Sequence, residues 1–167
     1  AIYEFNATWT DAETSVDEVI IEFDGVNTTV SDSGADVYNF TIVDLAAGVY
    51  SYEWFANDTD GLNNSTGTLT FTVLQADASI ALLITPSTRV QSGTATTATG
   101  SSCPSQITCT LFRNAAPVAN PEATTLAVGE YLYVYNTTGN ENYTSDSVTD
   151  TLNVTTAPQF ALLTEDP

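Results

Sequence analysis

Leu45-Ala46-Ala47-Gly48-Val49-Tyr50-Ser51-Tyr52-Glu53-Trp54-Phe55-Ala56-Asn57 decides how this chain is read, because the chain states it twice. Leu126-Ala127-Val128-Gly129-Glu130-Tyr131-Leu132-Tyr133-Val134-Tyr135-Asn136 keeps the pattern Leu-Ala-x-Gly-x-Tyr-x-Tyr-x-aromatic, 81 residues downstream. Each copy runs into an Asn/Gly turn, Asn57-Asp58-Thr59-Asp60-Gly61 and Asn136-Thr137-Thr138-Gly139-Asn140. Self-similarity at a fixed period sets the architecture before any local reading. It predicts two tandem modules, residues 1–75 and 76–157, followed by a tail of residues 158–167.

Outward from that stretch, nothing helical is visible. Short segments alternate apolar and polar residues between Gly, Asn, Asp and Ser, which is the pattern of strands and hairpins. In the first module these are Tyr3/Phe5, Val19/Ile21/Phe23 ending at an Asp24-Gly25 turn, Tyr38/Phe40/Ile42, Tyr50/Tyr52/Trp54 and Leu69/Phe71/Val73. A period of two puts each apolar set on one face and the Thr, Asn and Glu residues on the other. The second module reads Ile80/Leu82/Ile84, a Thr/Ser/Gly-rich strand near Val90–Thr99, Ile107/Cys109/Leu111, Thr124/Leu126, the second Tyr motif and Leu152/Val154. Asn114–Pro121, with two prolines, is expected to be a loop or a broken edge strand. Gln75-Ala76-Asp77 is the expected junction, a semi-rigid elbow. The fold class is all-β, two tandem antiparallel sandwiches.

The Tyr and Trp rows are expected to be core, with Tyr hydroxyls reaching backbone at strand ends. Phe55 and Phe112 fall on the opposite parity and are expected on the surface. Gln159-Phe160-Ala161-Leu162-Leu163-Thr164 echoes Ser79-Ile80-Ala81-Leu82-Leu83-Ile84 at an offset of 80. A lone strand is not stable by itself. It is read as a linker, as the first strand of a further module, or as a strand donated to a neighbouring subunit.

Charge is lopsided, with 21 Asp and Glu against two Arg, no Lys and no His, for a net charge of −19. Such a field repels nucleic acid and anionic membrane surfaces and attracts cations. With no His and no Lys, a Ser-His-Asp triad, a Cys-His pair and a Schiff-base lysine are excluded by inventory. Paired carboxylates of a glycosidase remain possible in principle, since acids are plentiful, but no apolar pocket is indicated that would raise one of their pKa values. No catalytic residue and no cofactor are assigned. The chain has no signal peptide, no apolar run that spans a bilayer and no initiator Met, and reads as a processed protein or an excerpt from a longer one.

The chemistry that does stand out is modification. Asn-x-Ser/Thr occurs at Asn6, Asn27, Asn39, Asn57, Asn63, Asn64, Asn136, Asn142 and Asn153, nine of twelve asparagines. The Ser and Thr content would give about three by chance. Covalent N-glycans are therefore expected at several of these sites. Cys103 and Cys109, six positions apart, predict a disulfide and an oxidising exterior. Asp58 and Asp60 sit in a stretch like the start of a calcium loop, but no closing Glu follows, and an Asn/Asp/Gly turn needs no metal.

At this point a resemblance enters. Gly48–Asn63 followed by Gly67–Val73 looks like the end of an immunoglobulin-like or fibronectin III-like repeat of archaeal and bacterial surface proteins. Gly129–Thr144 is similar to the matching segment of bacterial immunoglobulin-like repeats. The resemblance implies a non-catalytic structural or adhesive module of an extracellular, cell-surface protein: a stalk, adhesin or envelope repeat. It also admits a filament subunit assembled by strand donation, or a calcium- or carbohydrate-binding module using Asp58, Asp60 or Phe55. The implied partners are copies of the chain or neighbouring modules, with no nucleic acid and no insertion into membrane. The antibody-type cysteine pair that joins the two sheets is absent. Sequon density with scarce Lys points, by resemblance, to an archaeal surface.

Overall fold

The structure, a computed structural model, describes residues 1–12 and 15–157. Those residues form fifteen β-strands and no helix. The chain divides into two compact units between Gln75 and Ala76. Each has its own core.

Unit 1 contains β1 (Ile2–Thr8), β2 (Val16–Phe23), β3 (Val26–Thr29), β4 (Val37–Val43), β5 (Gly48–Asp58), β6 (Asn63–Ser65) and β7 (Leu69–Val73). β1 pairs antiparallel with β4, with Phe5 opposite Phe40 and Asn6 opposite Asn39. The second sheet runs β3-β2-β5-β6, and β7 also pairs with β5. Asp24-Gly25 closes the β2–β3 hairpin at φ of 48° and 78°, the left-handed pair that a two-residue turn demands. Alternation places Phe5, Val19, Ile21, Phe23, Tyr38 and Trp54 between the two sheets, all buried. Ring contacts knit them together: Phe5 meets Phe23 at 5.1 Å, Tyr52 at 5.0 Å and Phe71 at 5.1 Å between centroids. Edge-on packing of this kind favours the offset quadrupole geometry that aromatic pairs prefer.

Unit 2 contains β8 (Ala81–Thr85), β9 (Arg89–Gln91), β10 (Ala95–Ser101), β11 (Thr110–Arg113), β12 (Ala116–Val118), β13 (Glu122–Thr125), β14 (Gly129–Thr137) and β15 (Asp146–Thr155). One sheet runs β13-β10-β8 and the other β12-β11-β14-β15-β9, with β9 parallel to β15. Its core is Ile80, Ile84, Val90, Ala98, Leu111, Tyr133, Tyr135, Leu152 and Val154, with Ala78 at its end. Two facing sheets with these strand orders make an immunoglobulin-like sandwich.

Two local expectations need correction, and a third, the edge strand within Asn114–Pro121, is found in place. The strand expected near Val90–Thr99 is two strands, β9 and β10, separated by a turn in which Gly93 takes φ of 91°. The strand expected through Ile107 and Cys109 starts only at Thr110, because residues 102–109 are occupied by the disulfide loop. Asn114–Pro121 contains an edge strand, β12, carrying Pro117, joined to β11 by a turn at Asn114-Ala115 with φ of 49° and 67°. The edge placement explains why proline is tolerated there, since its missing N–H faces no partner strand.

Candidate functional site

The repeated stretch forms β5 in unit 1 and β14 in unit 2; β5 brings Trp54 into its core, and β14 brings Tyr133 and Tyr135 into the other. In both, the first tyrosine turns back on the corner that precedes its strand. Tyr50 Oη donates to Ala46 O at 2.9 Å, and Tyr131 Oη donates to Ala127 O at 3.1 Å. Each tyrosine ring lies over the glycine two residues before it, at a distance where a Cβ would make ordinary van der Waals contact. A Cβ on Gly48 would stand 3.6 Å from Tyr50 Oη, and one on Gly129 3.4 Å from Tyr131 Oη. This is the tyrosine corner of immunoglobulin-like sandwiches, found once per unit. The Leu-Ala-x-Gly-x-Tyr pattern is therefore an architectural signature.

Two residues further on, where antibody domains place a cysteine, each unit has another tyrosine. Tyr52 packs on Phe5 of the opposite sheet. Tyr133, 1% exposed, donates its hydroxyl to Glu122 Oε2 at 2.7 Å, and Arg113 Nη1 meets Glu122 Oε1 at 2.7 Å. β11 and β14 lie in one sheet and β13 in the other, so this trio ties the sheets of unit 2 together. Burial pushes the Tyr133 phenol up to about 12, and its bond to the Glu122 carboxylate adds to the rise. Sequence reading missed the trio because its members lie in three separate strands. The scarcity of basic residues was the available signal: one of only two arginines is spent on this tie.

Tyr135 fills the remaining space against β10. A Cβ on Gly100 would fall 2.4 Å from the Tyr135 ring, so only glycine fits opposite it. Cys103 and Cys109 are joined, with Cα atoms 6.1 Å apart, and both pack against the core of unit 2.

The acidic turn after β5 is self-contained. Asp58 Oδ1 accepts the backbone N–H of Asp60 at 2.9 Å and of Leu62 at 2.8 Å, which closes an Asx turn. Among the described residues no cluster of three or more acidic or cysteine side chains is arranged to hold a metal. Trp9, Val16, Ala56, Asp58 and Leu62 line an open cleft of about 330 Å³ beside this turn. Phe55 and Phe112, expected on the surface, are half-buried. Each is flanked on its outer face by cross-strand neighbours, Ile20 and Ser65 for Phe55, Val134 and Pro117 for Phe112.

The nine sequon asparagines fall on both units and none is buried. Asn6, Asn27, Asn39, Asn63 and Asn64 are exposed, whereas Asn57, Asn136, Asn142 and Asn153 are half-buried. Asn27 lies on β3 and Asn63 and Asn64 on β6, the two outer strands of the path β3-β2-β5-β6. Asn6 stands directly opposite Asn39, and Asn57 opposite Asn63, so neighbouring sites compete for room. Asn39 Nδ2 also donates to Ser33 Oγ at 2.9 Å. Phe160–Thr164 lie outside the described residues.

No protein-family model matches the sequence, and neither does any curated protein. Among solved structures, the chain is similar to fibronectin(III)-like modules of CbhA from Clostridium thermocellum. Identity is 15% and the TM-score 0.34, over 98% of this chain and 91% of that one. It is also similar to the amphioxus IgVJ-C2 molecule, at 15% identity and a TM-score of 0.38, over 91% of this chain and 96% of that one. The assignment to the immunoglobulin-like class rests on the strand orders and the two tyrosine corners described above.

Proposed function

We propose that this chain is a non-catalytic structural and adhesive module of a glycosylated extracellular surface protein, a repeat of a stalk, adhesin or envelope component. The observation that carries the reading is the placement of the sequons. Nine acceptor asparagines are distributed over both sandwiches, and every one keeps some access to solvent. Glycans on Asn27, Asn63 and Asn64 would cover β3 and β6, strand edges that otherwise invite pairing with other chains. The disulfide fits an oxidising setting. Among the described residues there is no helix long and apolar enough to cross a membrane. Dispersed carboxylates give a solvated anionic surface that resists association. Load would be carried by the ladders of β5 and β14, each anchored at its start by a tyrosine corner.

Intact-mass measurement on protein from its native source tests the reading. Masses above the 17.7 kDa of the bare chain by increments of a glycan, with sites mapped to these asparagines, are expected. Asn63 and Asn64 should not both be occupied on one molecule, since adjacent attachment leaves no room for two glycans. A native mass equal to that of the unmodified chain removes the glycoprotein reading.

A further inference from the structure

Among the described residues, Phe5, Phe23, Phe40 and Phe71 pack in the core of unit 1, whereas Phe55 and Phe112 belong to neither core. Alternation explains the difference. Trp54 and Ala56 of β5 turn inward, so Phe55 and Asn57 share the outer face of that sheet. In unit 2, Leu111 of β11 and Tyr133 and Tyr135 of β14 turn inward, so Phe112, Val134 and Asn136 share the outer face.

Each of these two phenylalanines therefore has an acceptor asparagine on its own face. Asn57 follows Phe55 by two residues, about 7 Å along the strand. Phe112 stands opposite Val134, and Asn136 lies two residues further along β14, a diagonal neighbour. Of the nine Asn-x-Ser/Thr sites, Asn57 alone has an aromatic residue two positions before it. Its surroundings are also shaped. Ile20 stands opposite Phe55 and Glu18 opposite Asn57 on β2, with Ser65 and Asn63 opposite the same two residues on β6. An open groove of about 330 Å³ runs between them, with Phe55 and Ile20 as its apolar side and Glu18, Asn57, Asn63 and Asn64 as its polar one. Phe55 and Ile20 are both half-buried.

We propose that Phe55 and Ile20 form a seat for the first sugar of a glycan on Asn57, a contact that holds the glycan against the sheet and stabilises unit 1. The proposal rests on the glycoprotein reading and adds to it one site and one contact. Attachment joins Asn57 Nδ2 to the anomeric carbon of a glycosyl diphosphate donor. The bond from that carbon to the diphosphate oxygen breaks, the diphosphate leaves with the electron pair, and one amide proton passes to a base in solvent. An asparagine side chain and one pyranose ring together reach a neighbour 7 Å away on the same face. The faces of a pyranose carry C–H bonds, whose partial positive charge matches the negative face of a phenyl ring. Ile20 widens the apolar seat, and the groove, at the lower end of small-ligand volumes, suits one sugar. Asn63 reaches the same groove from β6, but Gly61 stands two positions before it, and its Nδ2 donates to Gly61 O at 3.3 Å. Phe112 and Asn136 repeat the arrangement in unit 2, across two strands instead of along one.

Glycopeptide mapping of native protein comes first, and Asn57 should be occupied. The 167-residue chain is then made with and without N-glycosylation as the parent, Asn57→Gln, Phe55→Thr and Phe55→Tyr. Melting followed by tryptophan emission reports on unit 1, which holds both Trp9 and Trp54. Glycosylation should raise the melting temperature of the parent about 4 °C more than that of Asn57→Gln. Phe55→Tyr should keep that margin and Phe55→Thr should lose it, each compared with its own unglycosylated form so that the intrinsic effect of the substitution cancels. Protons of the first sugar on Asn57 should move upfield in the NMR spectrum, under the ring current of Phe55, and return to ordinary positions in Phe55→Thr. A bare Asn57 on a protein that carries glycans elsewhere overturns the assignment and leaves the glycoprotein reading standing. A protein with no glycan at all removes both. An occupied Asn57 whose melting margin or sugar shifts are unchanged by Phe55→Thr overturns the seat.

Discussion

Replacing Tyr50 or Tyr131 by phenylalanine removes one hydroxyl and leaves the ring in place, so it isolates the bond that defines each corner. A hydrogen bond in a folded protein contributes about 1 kcal/mol net, more when its loss leaves a desolvated partner. Tyr50 Oη–Ala46 O is the shorter bond, at 2.9 Å, and is partly buried; Tyr131 Oη–Ala127 O, at 3.1 Å, is exposed. In the first case Ala46 O is left without its partner and with limited water, so Tyr50→Phe should cost about 1–1.5 kcal/mol. In the second, water replaces the lost donor and Tyr131→Phe should cost about 0.5 kcal/mol. The chain carries its own unit-selective probe. Both tryptophans, Trp9 and Trp54, lie in unit 1, and Trp54 is 2% exposed. Urea unfolding of unglycosylated protein followed by tryptophan emission therefore reports on unit 1, while far-UV circular dichroism sees both units. With a slope of about 1–1.5 kcal/mol/M for a unit of this size, Tyr50→Phe should lower the tryptophan midpoint by about 1 M. Tyr131→Phe should lower the remaining dichroism transition by about half as much. A Tyr50→Phe midpoint within about 0.2 M of the parent would refute the corner as an anchor. Equal effects at the two sites would refute the argument from burial.

Gly100→Ala should destabilise unit 2 by about 2–3 kcal/mol, because the added methyl overlaps the Tyr135 ring and forces repacking; Tyr135→Leu in the same background should recover part of the loss, as a dichroism melt would show. The Tyr133 phenol is raised in the fold from 10 to about 12, so the folded state holds that proton more tightly. Its contribution is fully present below pH 10 and is lost as pH rises through about 12, and Tyr133→Phe should flatten that part of the stability profile. Reduction of Cys103–Cys109 releases a small loop and should cost unit 2 about 2 kcal/mol on the chain-entropy model, measured as a drop in urea midpoint with dithiothreitol; no change would mean that the loop is held by its packing alone.

Much of the fold was legible because a β-sandwich writes itself as a period of two. Val19/Ile21/Phe23, Tyr50/Tyr52/Trp54 and Leu152/Val154 all lie on the faces that their alternation assigned. The Asp24-Gly25 turn was legible for a chemical reason, since few other dipeptides reach positive φ twice without strain. Asn114-Ala115 makes the same turn without glycine and left no such mark. The disulfide was legible from two cysteines six apart with no metal-binding partner residues.

What the chain's sequence determined by itself is thus local: strand faces, glycine turns, the thiol pair, the Asn-x-Ser/Thr spacing and the doubled Tyr motif. Each depends on residues close together in the chain. Tertiary structure alone decided the rest, because it depends on which strands meet. It brought Arg113, Glu122 and Tyr133 together from three strands, set Gly100 beneath Tyr135, and placed Asn6 opposite Asn39. It also set β8 beside β10 and β9 beside β15 in unit 2, since pairing along a strand edge is a property of neighbours that no period in the sequence records.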